Sequence, residues 1–385
     1  MIDDSRSERP HGTRQPAQRN PFGEPSSEPR QLPAALFAAA TVVILVLLIY
    51  LGSSQFRHFD SALVGYAVAT VVAAAALVYR YTLWIAKPPT WRYFRAGWAN
   101  FLSWDNFRRY ATLIPKAWWT DIFAQTFILR RSFVRWVMHM SIFWGVVISL
   151  LVTIPLTFGW LHFTLAEPGT YQMWVFGIAF ITFPVETPIS WVLFHALDFS
   201  AVLLLIGLSI AFWRRVTDAG LLATQRFGFD LLPLLLLFAI SVTGLALTAS
   251  QMWWEGRFYW FLALTHEVTV VAWFLSLPFG KFFHIVERPA SIGVTLYQTV
   301  NQDIEQRAGR GVEDGEGVPS KGHCRRCGER LPSAQFVSDL KASLYDLGQA
   351  YDLGEGAGML QDYCPTCKRI LRGQGYYRTL GNRFL

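Results

Sequence analysis

FYWFLALTHEVTVVAWFLSLPFGKFFHIV, residues 258–286, is an apolar run long enough to cross a hydrocarbon core of about 30 Å, and it carries two histidines inside it. Five comparable runs precede it, at 33–52, 61–84, 136–159, 188–213 and 229–250. The reading is an all-α membrane protein built on a six-helix transmembrane bundle. Composition agrees: 52% of the 385 residues are hydrophobic and only 16% are charged, proportions foreign to most soluble folds. The net charge of +7 and pI near 9.3 do not indicate nucleic acid. The cations sit beside the apolar runs, where lipid head groups and orientation account for them, and no nucleic-acid motif accompanies them.

Orientation follows from those cations. The segment between Arg80 and Arg135 holds ten Lys and Arg, whereas 159–187 holds none and carries Glu167 and Glu186. The first is expected on the cytoplasmic side. Alternation of six spans then puts both termini and Arg214–Arg215 on that side too, in a multi-pass protein of the inner (cytoplasmic) membrane. The apolar stretch Tyr171–Phe183 is too short to span and reads as an interfacial or re-entrant cover.

The chain thus divides into a disordered leader (1–32), two N-terminal spans (33–87) and a cytoplasmic interfacial amphipathic segment (88–134). A four-helix transmembrane core (135–290), a linker (291–322) and a cytoplasmic four-cysteine tail (323–385) follow.

Four histidines lie in the expected spans: His139, His195, His266 and His284. His266 and His284 are eighteen residues apart, five turns of one helix, so both share a face about 27 Å apart along the axis. His139 enters its span at the end where His284 leaves. His195 lies about two turns into its span from the other side, at the depth of His266. Two levels of paired imidazoles suit bis-histidine b-type haems, whose iron takes neutral ring nitrogens as axial ligands. Gly145 and Gly244 offer room for a flat macrocycle.

A family resemblance rests on these residues. The run Leu277–His284 (LPFGKFFH), with His266 upstream, resembles the haem helix of the respiratory nitrate reductase gamma subunit family. Residues 135–145 (RWVMHMSIFWG) are similar to the membrane subunits of heterodisulfide reductase and of the sulfite-reductase-linked complex. The resemblance covers roughly 130–290 and implies one or two b haems and exchange with a menaquinone-type quinone. It also implies a cytoplasmic iron–sulfur or molybdenum-containing partner. Ubiquinone fits the same chemistry. Where the family carries a second ligand, ten residues after the first, this chain has Ser149. His139 with His284 is therefore the carried-over pair, and His266 needs another partner, for which depth selects His195 over His162.

A quinone site needs an apolar cleft with a few polar groups near a haem. His162, Glu167 and Glu186 in the loop and Asp198 within the fourth span are the quinone and proton candidates. In the tail, Cys324-x-x-Cys327 and Cys364-x-x-Cys367 are two knuckles able to close a tetrahedral four-thiolate site. Zinc is the expected ion and iron the alternative. Two other classes compete for the whole chain. One is a proton-coupled transporter using the intramembrane histidines and Asp198. The other is a zinc-tailed membrane scaffold without haem.

Overall fold

The computed structural model describes residues 31–310, 323–350, 352–353 and 357–381. All but the end of the expected leader, and residues 311–322 of the expected linker, lie outside these. The elements run α1 (Gln31–Gly52), α2 (Val64–Ile85), α3 (Pro88–Leu102), α4 (Trp104–Tyr110), α5 (Leu113–Trp118), α6 (Thr126–Leu129) and α7 (Phe133–Thr157). Three strands follow, β1 (Leu161–Glu167), β2 (Thr170–Val175) and β3 (Ile178–Pro184), then α8 (Pro188–Phe194), α9 (Ala196–Thr217), α10 (Ala219–Thr224) and α11 (Leu232–Met252). The chain ends with α12 (Tyr259–Ser276), α13 (His284–Arg310), α14 (Ala334–Asp346) and α15 (Pro365–Gly381).

Five helical segments are long and apolar enough to cross a membrane, and a bent pair formed by α12 and the start of α13 brings the number to as many as six. The protein is a mostly helical, multi-pass membrane protein. Its helices satisfy their backbone groups internally, as a lipid environment demands. Helix α1 buries little besides Ala34, Ile49 and Gly52, so most of its side chains are left to lipid.

The membrane core gathers Tyr66 and Ala73 of α2, Leu204 and Leu208 of α9, Leu237 of α11, and Trp273 and Phe274 of α12. Because lipid tails are as apolar as these side chains, small residues that admit close backbone approach hold such helices together. Gly145 and Gly207 do this between α7 and α9. A Cβ at Gly145 would lie 2.6 Å from Leu204 Cγ, and one at Gly207 would lie 2.8 Å from the Met138 carbonyl oxygen. Gly145 is therefore a helix-packing residue, filled by Leu204, and gives no room to a macrocycle. Gly207→Leu must push α7 backbone aside. It is expected to cost about 3 kcal/mol or more by overpacking, read as a lower thermal midpoint in detergent.

Three expectations are corrected. First, the sixth span is not one straight helix. Helix α12 ends at Ser276, and the following helix departs at 62°. Pro278 has no N–H to continue the ladder, and the rod breaks over Leu277–Gly280. His266 and His284 thus do not share one face at five-turn spacing. Arg80 of α2 repairs the break by donating to the Pro278 carbonyl, with its guanidinium 4.1 Å from the Phe283 ring centre.

Second, the fourth span begins later. Thr187 and Ser190 form a reciprocal capping box with Pro188 in the first turn, which starts the short helix α8. The regular helix is interrupted at His195, where φ is −100° and ψ 10°. His195 therefore stands at the α8–α9 junction and not two turns inside a span. Third, residues 161–184 form an antiparallel sheet in the order β1-β2-β3 instead of a re-entrant segment. Its turns use Gly169 at φ +84° and Gly177 at φ +74°, conformations that favour glycine. Trp160, just before β1, donates to the Leu48 carbonyl at 3.0 Å, which anchors the sheet at one end of α1.

A second compact unit comprises α3, the chain from Thr295 through α13, α14 and α15. Residues 291–310, expected as linker, are helical. Here Tyr93 of α3 stacks on Phe336 at 5.3 Å and meets Tyr297 at 6.1 Å. Arg92 pairs with the buried Asp346 carboxylate at 2.9 Å, and Tyr297 donates to Asp339. The amphipathic segment after α2 thus supplies a structural helix to the cysteine-bearing unit.

Candidate functional site

The predicted ligand histidines share one electrostatic arrangement at three of four positions. His284 Nδ1 lies 2.6 Å from the Lys281 carbonyl oxygen and His195 Nδ1 lies 2.9 Å from that of Trp191. A carbonyl only accepts, so each Nδ1 carries the proton and each Nε2 keeps a free lone pair. For His266 the partner is Thr243 Oγ1 at 2.9 Å, with the Ile240 carbonyl also in reach of the ring. The single Thr243 hydroxyl proton is already engaged with the Ala239 carbonyl at 2.6 Å. Thr243 must therefore accept from His266 Nδ1–H, leaving Nε2 of His266 as a lone-pair donor. His139 differs: its Nδ1 is buried with no hydrogen-bond partner among the described residues.

His139, near the start of α7, and His284, opening α13, lie within electrostatic reach of each other, with Arg288 close by. Arg214 of α9 reaches Met138 Sδ at 3.9 Å, so cations cluster at this end of the bundle. His195 does not join His266. Its ring stacks on Trp191 at 5.0 Å, outside the cavity that His266 lines.

That cavity, about 270 Å³, opens among α2, α7, α9, α11 and α12. Its wall is mainly apolar, with Ser149, Asp198, Thr248, His266 and Trp273 among its polar members. Thr248 donates to Asp198 Oδ1 at 2.7 Å. The Ser149 and Ser200 hydroxyls meet at 2.8 Å, and Ser200 donates onward to the Leu197 carbonyl, so Ser149 is the donor of that pair. Gly244 backs onto His266: a Cβ there would lie 3.3 Å from its Cε1. Two features escaped the sequence reading. Trp273 Nε1 is buried without a partner, and the run of tryptophans gave no reason to single it out. Glu267, mid-way along α12, sits against Gly65 of α2, where a Cβ would lie 2.1 Å from its Oε1.

Among the loop candidates, Glu167 and Glu186 are exposed. His162 on β1 stacks face to face with His58 at 3.8 Å and 9°, and with Trp174 on its strand partner at 6.0 Å. Burial, then the neighbouring His58, pushes the His162 pKa below its ordinary 6.5. As pH falls from 6.5 toward that lowered value, the unfolded chain takes up a proton before the folded one, so stability is lost over that window. His162→Phe is expected to flatten this dependence, read from thermal midpoints across pH 5 to pH 7.5, a range chosen to bracket the ordinary histidine value of about 6.5.

In the tail the four sulfur atoms of Cys324, Cys327, Cys364 and Cys367 all lie within 4.8 Å of one another, and none is in a disulfide. Cys327 and Cys364 sulfurs are 3.7 Å apart. Bonds of about 2.3 Å at tetrahedral angles require roughly 3.8 Å between sulfurs. The cluster is thus able to bind a metal ion. Burial pushes the Cys324 thiol up, but N–H groups of Cys364, Cys327 and Arg326 directed at its sulfur outweigh this and bring it to about 6. Burial and the other three thiols hold Cys367 up, at about 12. Arg325 and Lys341 brace the turn through Asp362, at 3.8 Å and 2.5 Å.

No family model, curated protein or solved structure matches the chain. Function must accordingly be argued from the sites.

Proposed function

We propose that the chain is the cytochrome b subunit of a quinone-linked membrane oxidoreductase, resembling the nitrate reductase gamma and heterodisulfide reductase membrane subunits. It exchanges electrons with an iron–sulfur or molybdenum-containing partner on the cytoplasmic side. The observation that carries this reading is that two imidazoles from different helices, His139 of α7 and His284 of α13, fall within electrostatic reach at one end of the bundle, with Arg288 and Arg214 beside them.

The residues present there fit a haem. His284 has its Nδ1 proton committed to the Lys281 carbonyl, which orients the ring and raises the basicity of Nε2. His139 brings a half-buried imidazole from a different helix, and its buried Nδ1 has no hydrogen-bond partner among the described residues, which leaves the ring available to a bound group. Arg288 and Arg214 supply positive charge for the two carboxylates that a haem carries. A haem held by these two rings supplies a one-electron carrier inside the bundle. The protein's own contribution is to orient the imidazoles, to keep water out with Phe and Trp side chains, and to neutralise the carboxylates.

The four-cysteine tail, in this reading, holds a structural zinc on the partner-facing side. Four sulfurs within reach of one ion, three of them on buried cysteines, suit a closed site with no open position. Dithionite-reduced minus air-oxidised visible spectra of the purified chain, made with added haem precursor, test the function. Bands of a b-type cytochrome at one haem per chain are expected. Their absence overturns the reading and leaves the transporter and scaffold alternatives.

A further inference from the structure

We infer that the cavity around His266 is the binding site for the head group of a quinol, and not a second haem site. This rests on the reading of the chain as a quinone-linked cytochrome b.

Size argues first. At about 270 Å³ the cavity sits just below the roughly 300 Å³ at which small-molecule pockets begin. A one- or two-ring aromatic head group suits it. A porphyrin with its two propionates needs far more room, and Leu204 and Ser200 close the approach past Gly145. The ligand set argues second. A bis-histidine haem needs two imidazoles, and His266 is the only histidine lining the cavity among the described residues. Ser149 faces the cavity from α7 with its hydroxyl given to Ser200, so that wall offers no ligand nitrogen.

The unmet hydrogen bonds then specify the occupant. Most hydroxyl protons around the cavity are already spent: Ser241 donates to Leu237, Thr248 to Asp198, and Ser149 to Ser200. Besides the Tyr66 and Thr153 hydroxyls, which can donate or accept, three groups of fixed role remain. His266 Nε2 is an acceptor, because its Nδ1 proton is committed to Thr243. Asp198 Oδ2 receives no hydrogen bond from the described residues, and Thr248 occupies only Oδ1. Trp273 Nε1–H is a donor, 96% withdrawn from solvent and unpartnered. Unmatched polar atoms at such depth are costly, so a molecule that meets them is favoured.

An apolar ring bearing two hydroxyls supplies a donor to His266, a donor to Asp198 and an acceptor lone pair to Trp273. The oxidised quinone offers only acceptors and leaves His266 and Asp198 unmet. The site should thus prefer the reduced form. His266 also belongs to an apolar bundle bounded by α2, α7, α9 and α11, where a lipid-soluble ligand arrives from the bilayer.

The test uses the full chain in lipid nanodiscs, titrated anaerobically with menadiol and with menadione by calorimetry, alongside haem counts by pyridine haemochrome. Wild type, His266→Gln, Asp198→Asn and Trp273→Phe are compared. The expected result is one haem per chain throughout, menadiol binding at least tenfold tighter than menadione, and a tenfold or greater loss of menadiol affinity in the His266 and Asp198 variants. Retention of haem shows that those variants are folded. Two haems in wild type with one lost in His266→Gln overturns the quinol assignment while leaving the cytochrome reading intact. Unchanged menadiol affinity in both variants, with haem retained, overturns the assignment alone. No haem in any variant overturns the cytochrome reading and the inference resting on it.

Discussion

On the proposed reading as a cytochrome b, His284→Ala is expected to remove the b-type absorbance completely, whereas His195→Ala is expected to leave it unchanged. The contrast follows from placement. His284 opens α13 directly after the Leu277–Gly280 break, with its Nδ1 proton fixed on the Lys281 carbonyl 2.6 Å away and its other nitrogen free. A backbone carbonyl three residues earlier holds the ring, so truncation removes an oriented donor without touching the bundle core. His195 has the same local hydrogen bond, to Trp191, but stacks on that tryptophan at the α8–α9 junction. Losing one of the two imidazoles that would hold a haem should weaken its binding strongly, because each ligand and its supporting hydrogen bond would contribute to holding the group. Haem content after purification measures the effect, and circular dichroism at unchanged helix content shows that the apoprotein has not unfolded. Full haem retention in His284→Ala would exclude this ligand.

Cys364→Ser is expected to lower the bound metal from one ion per chain to less than about a tenth, a loss drawn from the large free energy of structural thiolate sites, roughly 10–16 kcal/mol in small zinc domains. Cys364 is buried, its amide is 3.3 Å from Cys324 Sγ, and its sulfur accepts from the Cys367 amide at 3.4 Å. Replacing it removes a ligand and leaves the site with three thiols in an apolar cluster with Leu331, Val337 and Tyr363. Cys327 is the exposed member, so Cys327→Ser should release metal with less disturbance of that cluster. Elemental analysis reports the metal, and hydrogen exchange over α14 and α15 reports the fold. A strong chelator should reproduce the exchange pattern of Cys364→Ser, while Tyr93 and Arg92 keep α14 attached to α3. Equal metal content in wild type and Cys364→Ser would refute the assignment.

Much of this protein is legible in its sequence because lipid imposes a simple rule. Spanning segments must be long, apolar and helical, so hydropathy alone places the start of every span but the fourth within a few residues. The two Cys-x-x-Cys knuckles were equally plain, since a local turn sets each pair. What failed were readings that depended on a helix continuing. Five-turn spacing between His266 and His284 presumed a straight rod, but Pro278 and Gly280 end α12 and turn the chain by 62°. His195 was placed by counting turns from an assumed start, and the Thr187–Ser190 box begins a separate short helix instead. Alternating polar and apolar residues within 161–184 were masked by a dense aromatic content, and the sheet they form was missed.

Sequence alone therefore determined the class of protein, the number of apolar segments and the four-cysteine framework, each set by local composition or short spacing. Only the tertiary structure decided which polar groups meet. Asp198 and His266 line one cavity with Trp273, while His195 turns to Trp191, because helix breaks and the close α7–α9 contact at Gly145 and Gly207 fix the geometry of the bundle. Those relations depend on residues far apart in the chain, such as Gly207 and Met138 or Asp198 and His266, and no periodicity within a single segment encodes them.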